Sequence, residues 1–311
     1  MRVFVAGATG AIGRQLVPRL VKAGHEVHGM TRSGSKQEML YELGAVPAVA
    51  DALDPDQVAA AVARAQPDVI IHQLTSIGPV NMRHIDRDFA LTNRLRTEGT
   101  DHLLSAGQAV GVKRFVAQGV AGFGAYARTG GAVKSEQDPL DPTPPREMRE
   151  VHGAIRHLEK AVLGAEWTEG IVLRYGVFYG PGTLVAPGGE QLEMIRKRKF
   201  PLVGDGAGVW SFIHVADAAE ATVAAVEHGS RGAYNIVDDD PATVADWLPA
   251  LAQKIGAKKP MRVPRFVGRL AAGETGVAMM TEVRGASNAK AKRELHWQPE
   301  RPSWRQGMGD D

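Results

Sequence analysis

The chain has 311 residues, of which 44% are hydrophobic and 23% charged, and its formal net charge is +2. That balance fits a soluble globular protein and gives no case for nucleic acid or an anionic membrane as partner. The absence of cysteine excludes disulfides, thiolate catalysis and cysteine-ligated metal, and no apolar run reaches the roughly 18 residues of a membrane span.

The first thirteen residues set the frame. Val3 to Ala6 reads as a buried strand, broken at Gly7 and followed by a helix with Ile12, Leu16, Leu20 and Val21 at helical spacing. Between them Gly7, Gly10 and Gly13 let the backbone approach a pyrophosphate, and the helix N-terminus supplies free N–H groups and positive dipole to hold it. An ordinary tight turn is the alternative. Pro18 sits inside the helix and should bend it or leave one carbonyl unpaired. A strand starting at residue 2 leaves no room for a leader, so a cytoplasmic location is expected.

Glu26 to Met30 reads as a second strand ending at Thr31, Arg32 and Ser33. An acidic residue there would bind the ribose 2′-hydroxyl of NAD, whereas arginine accommodates the 2′-phosphate of NADP. With Arg32 and Ser33 in place and no acid from Val27 to Lys36, NADP(H) is the expected cofactor. Arg32 as a plain solvated loop residue is the other reading.

Ala45 to Ala50 is a third strand closed by Asp51, a carboxylate suited to the adenine amino group or to capping the helix that begins near Asp54 to Asp56. Asp68 to Thr75 is a fourth strand, and one amphipathic helix is expected from about Ile85 to Gly107, with Asn93 and Thr97 on its polar side. Lys113 to Ala117 is a fifth strand. The proline-rich stretch Ser135 to Arg146 is a loop, followed by a helix over Arg149 to Leu163 that buries Val151, Ile155, Leu158 and Val162. Gly170 to Tyr175 is a sixth strand, Trp210 to Asp217 is expected to return to the sheet, and Ala233 to Val237 is one more strand. Short helices interrupted by Pro249, Pro260 and Pro264 follow. Strands alternating with helices predict an α/β doubly wound parallel sheet, a Rossmann fold with its ligand at the carboxyl ends of the strands. The expected division puts 1–176 and 211–237 in the dinucleotide domain and 177–210 with 238–311 in a smaller substrate lobe.

These motifs resemble the extended or atypical short-chain dehydrogenases/reductases, the superfamily of NAD(P)-dependent epimerases and dehydratases, nearly end to end. Gly7, Gly10 and Gly13 are similar to its cofactor loop, Asp51 to its adenine contact and Asn93 to its fourth-helix asparagine. The stretch Leu173 to Gly182 resembles its LRxxxxYGPG turn, Phe212 to Asp217 its second-lobe junction, and Ala289 to Pro299 its closing signature. The resemblance implies a cofactor held by Gly7, Thr9, Gly10, Ala11, Ile12 and Gly13, by Arg32, Ser33, Asp51 and Ala52, and by Leu74, Thr75 and Asn93. Gln118, Gly119, Arg156, Tyr175, Gly176, Phe178 and Tyr179 complete that expected set. It also implies a possible homodimer through the helices after strands four and five.

The departure is catalytic. Family members carry Ser or Thr after strand five and Tyr-x-x-x-Lys on the next helix. Here the fifth strand runs on through Gln118 to Phe123 with no hydroxyl before Tyr126, and the helix offers His152 and Arg156 instead. A lysine at i+4 lowers a tyrosine pKa; Arg156 keeps the charge but gives up no proton. His152 is therefore either a substituted general acid or a pocket residue beside the cofactor. Tyr175, Tyr179 and His214 are weaker donor candidates.

Three functions follow. The first is an NADPH-dependent ketoreductase of a hydrophobic or aromatic small molecule, of the kind made in secondary metabolism, with its proton from water, a substrate hydroxyl or His152. Its expected pocket is Val120, Phe123, Met148, His152, Tyr179, Met194 and Trp210, with no metal. The second is a catalytically degenerate NADP(H)-binding regulator or redox sensor, and the third a nucleotide-sugar epimerase or dehydratase, disfavoured by the missing tyrosine.

Overall fold

The computed structural model describes residues 1–78 and 80–310. Its centre is a seven-stranded sheet of β1 (Arg2–Ala6), β2 (Glu26–Thr31), β3 (Val46–Val49), β4 (Val69–His72), β5 (Arg114–Val120), β6 (Glu169–Tyr175) and β7 (Gly232–Ile236). The strands lie in the order β3-β2-β1-β4-β5-β6-β7 and every neighbouring pair is parallel. The order reverses between β1 and β4, and a doubly wound sheet opens its ligand crevice at that point.

Side chains alternate across the sheet, which gives it two cores. Val3 and Val5 of β1 face α1 (Ala11–Lys22), while Phe4 and Ala6 face α2 (Pro55–Ala65), α3 (Glu98–Ala109) and α4 (Arg149–Gly164). α5 (Val215–Glu227) joins α1 on the first face. α1 continues through Pro18.

The single helix expected from Ile85 to Gly107 is three pieces, Ile85–Asp88, Ala90–Arg96 and α3. Thr97 leaves helical geometry (φ −97°, ψ −84°), and its hydroxyl donates to the Asn93 carbonyl at 3.0 Å. Such back-bonding by a threonine competes with the helical ladder and bends it. β4 also ends at His72 rather than Thr75.

The stretch from Trp210 does not rejoin the central sheet. Phe212–His214 pairs in parallel with Val177–Tyr179, outside it. Beyond β6 the Val177 N–H donates to the Ser211 carbonyl at 2.8 Å, and a Cβ on Gly176 would lie 2.7 Å from that same oxygen. Trp210–Val209 instead pairs antiparallel with Ala242–Thr243.

The second lobe is more helical than expected. Val244–Lys254 runs through Pro249, and Arg265–Thr281 is a long helix kinked at Gly273 (φ 70°). Trp210, Phe212 and Trp247 pack as its centre, with Trp210 and Trp247 ring centroids 5.0 Å apart. Ala291, Leu295 and Trp297, expected in this lobe, pack into the core of the sheet instead. Among the described residues no helix is long and apolar enough to cross a membrane.

Candidate active site

The loop after β1 has the form of a phosphate cradle. Gly7 has φ +94°, a left-handed conformation that favours glycine, and a Cβ there would lie 2.7 Å from the Gln73 carbonyl. A Cβ on Gly13 would collide with the carbonyl oxygens of Gly7 and Ala8. Gly10 begins α1, and no side chain caps that end, so its first N–H groups remain for an anion. Thr9 and Ala11 are half-buried beside them, while Ile12 is buried in the sheet core.

At the end of β2, Arg32 is exposed and enters no ion pair or hydrogen bond among the described residues. Ser33 and Ser35 are linked hydroxyl to hydroxyl at 2.7 Å, and Gly34–Lys36 forms a single helical turn. Ser35 and Lys36 were not singled out from sequence, although a basic and hydroxyl-rich turn after Arg32 is a readable signal. Asp54, not Asp51, caps α2, accepting from the N–H groups of Asp56 and Gln57 at 3.1 Å. One oxygen of Asp51 accepts from Leu53 N–H at 3.0 Å, and nothing binds the other among the described residues. Ala52 is buried, with its carbonyl 2.9 Å from His102 Nδ1. The cradle glycines, the uncapped helix, Arg32 and Asp51 line the carboxyl edge of β1, β2 and β3. They fit a dinucleotide.

The nicotinamide half of the expected set is less uniform. Leu74 N–H donates to His72 Nδ1 at 3.2 Å, and Thr75 is half-buried beyond it. Gln118 is buried near the end of β5, and a Cβ on Gly119 would lie 2.6 Å from Val172 Cγ1, so that glycine serves strand packing. Tyr175 is a core residue. Its hydroxyl accepts from Gln73 Nε2 at 3.0 Å and lies 2.7 Å from Thr222 Oγ1, and burial raises its pKa to about 12. Phe178 is half-buried against it, ring centroids 5.3 Å apart.

Tyr179 is fully buried in the core of the second lobe, edge-on to His214 at 5.2 Å. Burial, then the charges of Asp238 and Asp217, pushes its phenol far above the ordinary range. His214 Nδ1 accepts from Ala216 N–H at 3.2 Å and caps α5, and burial lowers its pKa to about 4. Neither is placed as a proton donor at neutral pH.

His152 is 2% exposed, and its Nε2 has no partner among the described residues. Burial first, then the neighbouring Arg156 charge, lowers its pKa to about 4. The imidazole is therefore neutral at pH 7, and the substituted-acid reading loses its proton. Arg156 is not free either: Nη2 donates to the Asp141 carbonyl.

Of the expected pocket, Val120, Phe123 and Met148 do meet, in one apolar cluster with Ile85, Phe89, Val151 and Ile155. Phe123 also lines a small cavity with Trp210, Met279 and Arg284. Trp210 is spent in packing, its Nε1 donating to the Met279 carbonyl at 2.8 Å. Met194 is half-buried on the helix Glu190–Arg196 and joins none of these groups. Asn93 keeps both amide atoms buried and, among the described residues, unpaired. Sequence reasoning passed over Ile85, Phe89 and Arg96, whose signal was helical spacing with Asn93.

The family model described as the NAD dependent epimerase/dehydratase family matches residues 3–237. The chain belongs to that family. It is 43% identical over 316 residues to a 3-diazoavenalumate denitrifying reductase from a Streptomyces species, covering 99% of each. It is 26% identical to a 4-hydroxy-2-methyl-3-oxo-4-farnesyl-3,4-dihydroquinoline-1-oxide ketoreductase from Stigmatella aurantiaca, covering 94% of this chain and 85% of that one. A UDP-glucose 4-epimerase from Thermotoga maritima has the same fold, with a TM-score of 0.77 at 23% identity over 99% and 96% of the two chains. Together these make the protein an NAD(P)-dependent reductase of the short-chain dehydrogenase/reductase type.

Proposed function

We propose that the protein is an NADPH-dependent reductase of a small aromatic molecule, working without a proton donor of its own. The observation that carries this is His152, whose place in the sequence resembles that of the family tyrosine: it is buried, and burial lowers its pKa to about 4, so it is neutral at pH 7. Gly7, Gly13 and the N-terminus of α1 hold the pyrophosphate, Asp51 the adenine, and Arg32 with Ser33 and Lys36 the 2′-phosphate. When bound, the cofactor supplies a hydride.

Two acceptors need no acid from the protein. An aromatic ketone with a hydroxyl beside it protonates its own alkoxide, because proximity supplies what a positioned phenol otherwise would. An aryl diazonium takes hydride at the ring carbon that bears the nitrogens and loses dinitrogen as that C–N bond breaks, giving the arene with no further proton. The 26% identical ketoreductase supports the first and the 43% identical denitrifying reductase the second. The diazo acceptor has the stronger support. The apolar cluster of Phe89, Phe123 and Met148 suits the ring in either case. The protein acts as a cytoplasmic enzyme, and pairing of two copies through α3 and α4 is read by light scattering.

NADPH oxidation followed at 340 nm against aromatic diazo compounds and aromatic ketones, with dinitrogen release measured in parallel, tests the reading. Turnover with stoichiometric dinitrogen supports the diazo acceptor, and turnover without it the ketone. NADP(H) binding with no turnover on either would overturn the proposal in favour of a sensor.

A further inference from the structure

Arg96 is 4% exposed, at the end of the helix Ala90–Arg96 that packs against α4. Its guanidinium makes no ion pair and no hydrogen bond among the described residues, and Nη1 is wholly buried without a partner. The three other buried or half-buried arginines around α4 differ. Arg128 pairs with Asp141 at 3.0 Å and Glu282 at 2.7 Å, Arg174 pairs with Glu159, and Arg156 bonds the Asp141 carbonyl. A buried charge left unpaired costs several kcal/mol, so an unpaired one beside the helix that carries His152 asks for an anion.

Two more orphans share the place. Asn93, three residues earlier, lies on the same helical face, and both of its amide atoms are buried and unpaired among the described residues. Across the interface His152 Nε2 is also unpaired among the described residues. The Arg96 charge acts on the His152 imidazole, together with Arg156, Arg128 and Asp141, and burial alone lowers the Arg96 pKa to about 10. No carboxylate is among the causes. The apolar cluster of Phe89, Met148 and Val151 borders the same two helices.

We propose that Arg96, with Asn93 and His152 beside it, is the seat for one anionic oxygen group of the substrate, a carboxylate or a phenolate borne on an aromatic ring. A guanidinium offers a carboxylate two parallel N–H donors, and these are the strong charge-assisted kind in a desolvated site. The proposal rests on the reductase reading only for the word substrate. The seat itself is a binding site and is measurable without turnover.

The test uses the full chain with saturating NADP⁺ and three probes: benzoate, its neutral isostere benzamide, and 4-nitrophenolate above its pKa. Binding is followed by calorimetry and by the histidine signals in NMR. Benzoate or 4-nitrophenolate should bind at least about tenfold more tightly than benzamide, as one desolvated charge-assisted contact requires. Arg96→Met should erase that difference while leaving benzamide unchanged, and Arg96→Lys should restore part of it. Which anion gains more identifies the oxygen group. Binding should also raise the His152 pKa, since negative charge arrives beside it. A second readout guards against misfolding: without ligand, Arg96→Met should keep or raise Tm, because it removes an uncompensated buried charge. Equal affinity for benzoate and benzamide, or equal benzoate affinity in Arg96→Met, would overturn the proposal, as would a large drop in Tm. If the reductase reading fails instead, no acceptor oxidises NADPH while the benzoate preference persists.

Discussion

Arg174 on β6 grips Glu159 on α4 with two parallel bonds, Nε to Oε1 at 2.8 Å and Nη2 to Oε2 at 2.7 Å. Both side chains are buried, and Arg174 Nη1 also donates to Tyr126 Oη at 3.0 Å. Glu159 lies two turns after His152 on the same helix, so this pair fixes the helix that lines the site.

Removing one partner strands the other charge in the core. Glu159→Leu should lower stability by about 3–5 kcal/mol, read by urea denaturation. The double change Glu159→Leu with Arg174→Met should recover much of that loss. A single variant as stable as the parent would show that α4 is held by packing alone.

Arg32 is exposed and unpaired, which leaves its charge for a 2′-phosphate. Arg32→Asp should weaken NADPH by roughly a hundredfold, as expected for a lost charge-assisted contact replaced by repulsion, with little effect on NADH. Cofactor titrations by fluorescence check this. Equal weakening of both cofactors would remove Arg32 from the 2′-phosphate.

Tyr175 holds its hydroxyl between Gln73 and Thr222 inside the core. Tyr175→Phe should cost about 1–2 kcal/mol of stability, the value of a buried hydrogen bond and its stranded partners, and leave kcat within a few-fold. A loss of kcat beyond about a hundredfold, the range of a missing general acid, would instead make Tyr175 the proton donor.

Three buried histidines tie stability to pH. His72, His152 and His214 fall from 6.5 to about 4 in the folded protein, each mainly through burial. Between those values the unfolded chain binds protons that the folded one does not, so stability rises with pH through the window. Asp238 opposes this. Burial raises it from 3.8 to about 8, so the folded state holds the extra proton and loses that advantage as pH rises. Below pH 6.5 three histidines outweigh it, and above that Asp238 prevails, with Asp217 raised in the same direction by burial. Tm should therefore peak at about pH 6.5, fall steeply toward pH 4.5, and fall gently toward pH 8. A Tm that is flat from pH 6.5 to 4.5 would contradict the neutral buried imidazoles. The same lowering predicts no kcat limb near pH 6.5 from His152.

By itself the sequence determined the parallel sheet, because apolar runs alternating with amphipathic helices leave few other ways to bury both kinds of surface. It also determined the dinucleotide loop, since Gly7 and Gly13 stand where only glycine fits, and this is a local requirement written in consecutive residues. Tertiary structure alone decided the rest. Thr97 interrupts a helix whose apolar spacing looks continuous, leaving helical geometry at φ −97° and ψ −84° while its hydroxyl bonds the Asn93 carbonyl. Phe212 joins Val177 rather than the central sheet, a pairing that depends on how two distant segments meet. The state of the site is likewise a matter of assembly. His152 and Arg96 are ordinary polar residues in the chain, and burial without a partner, which no spacing records, makes one neutral and leaves the other waiting for an anion.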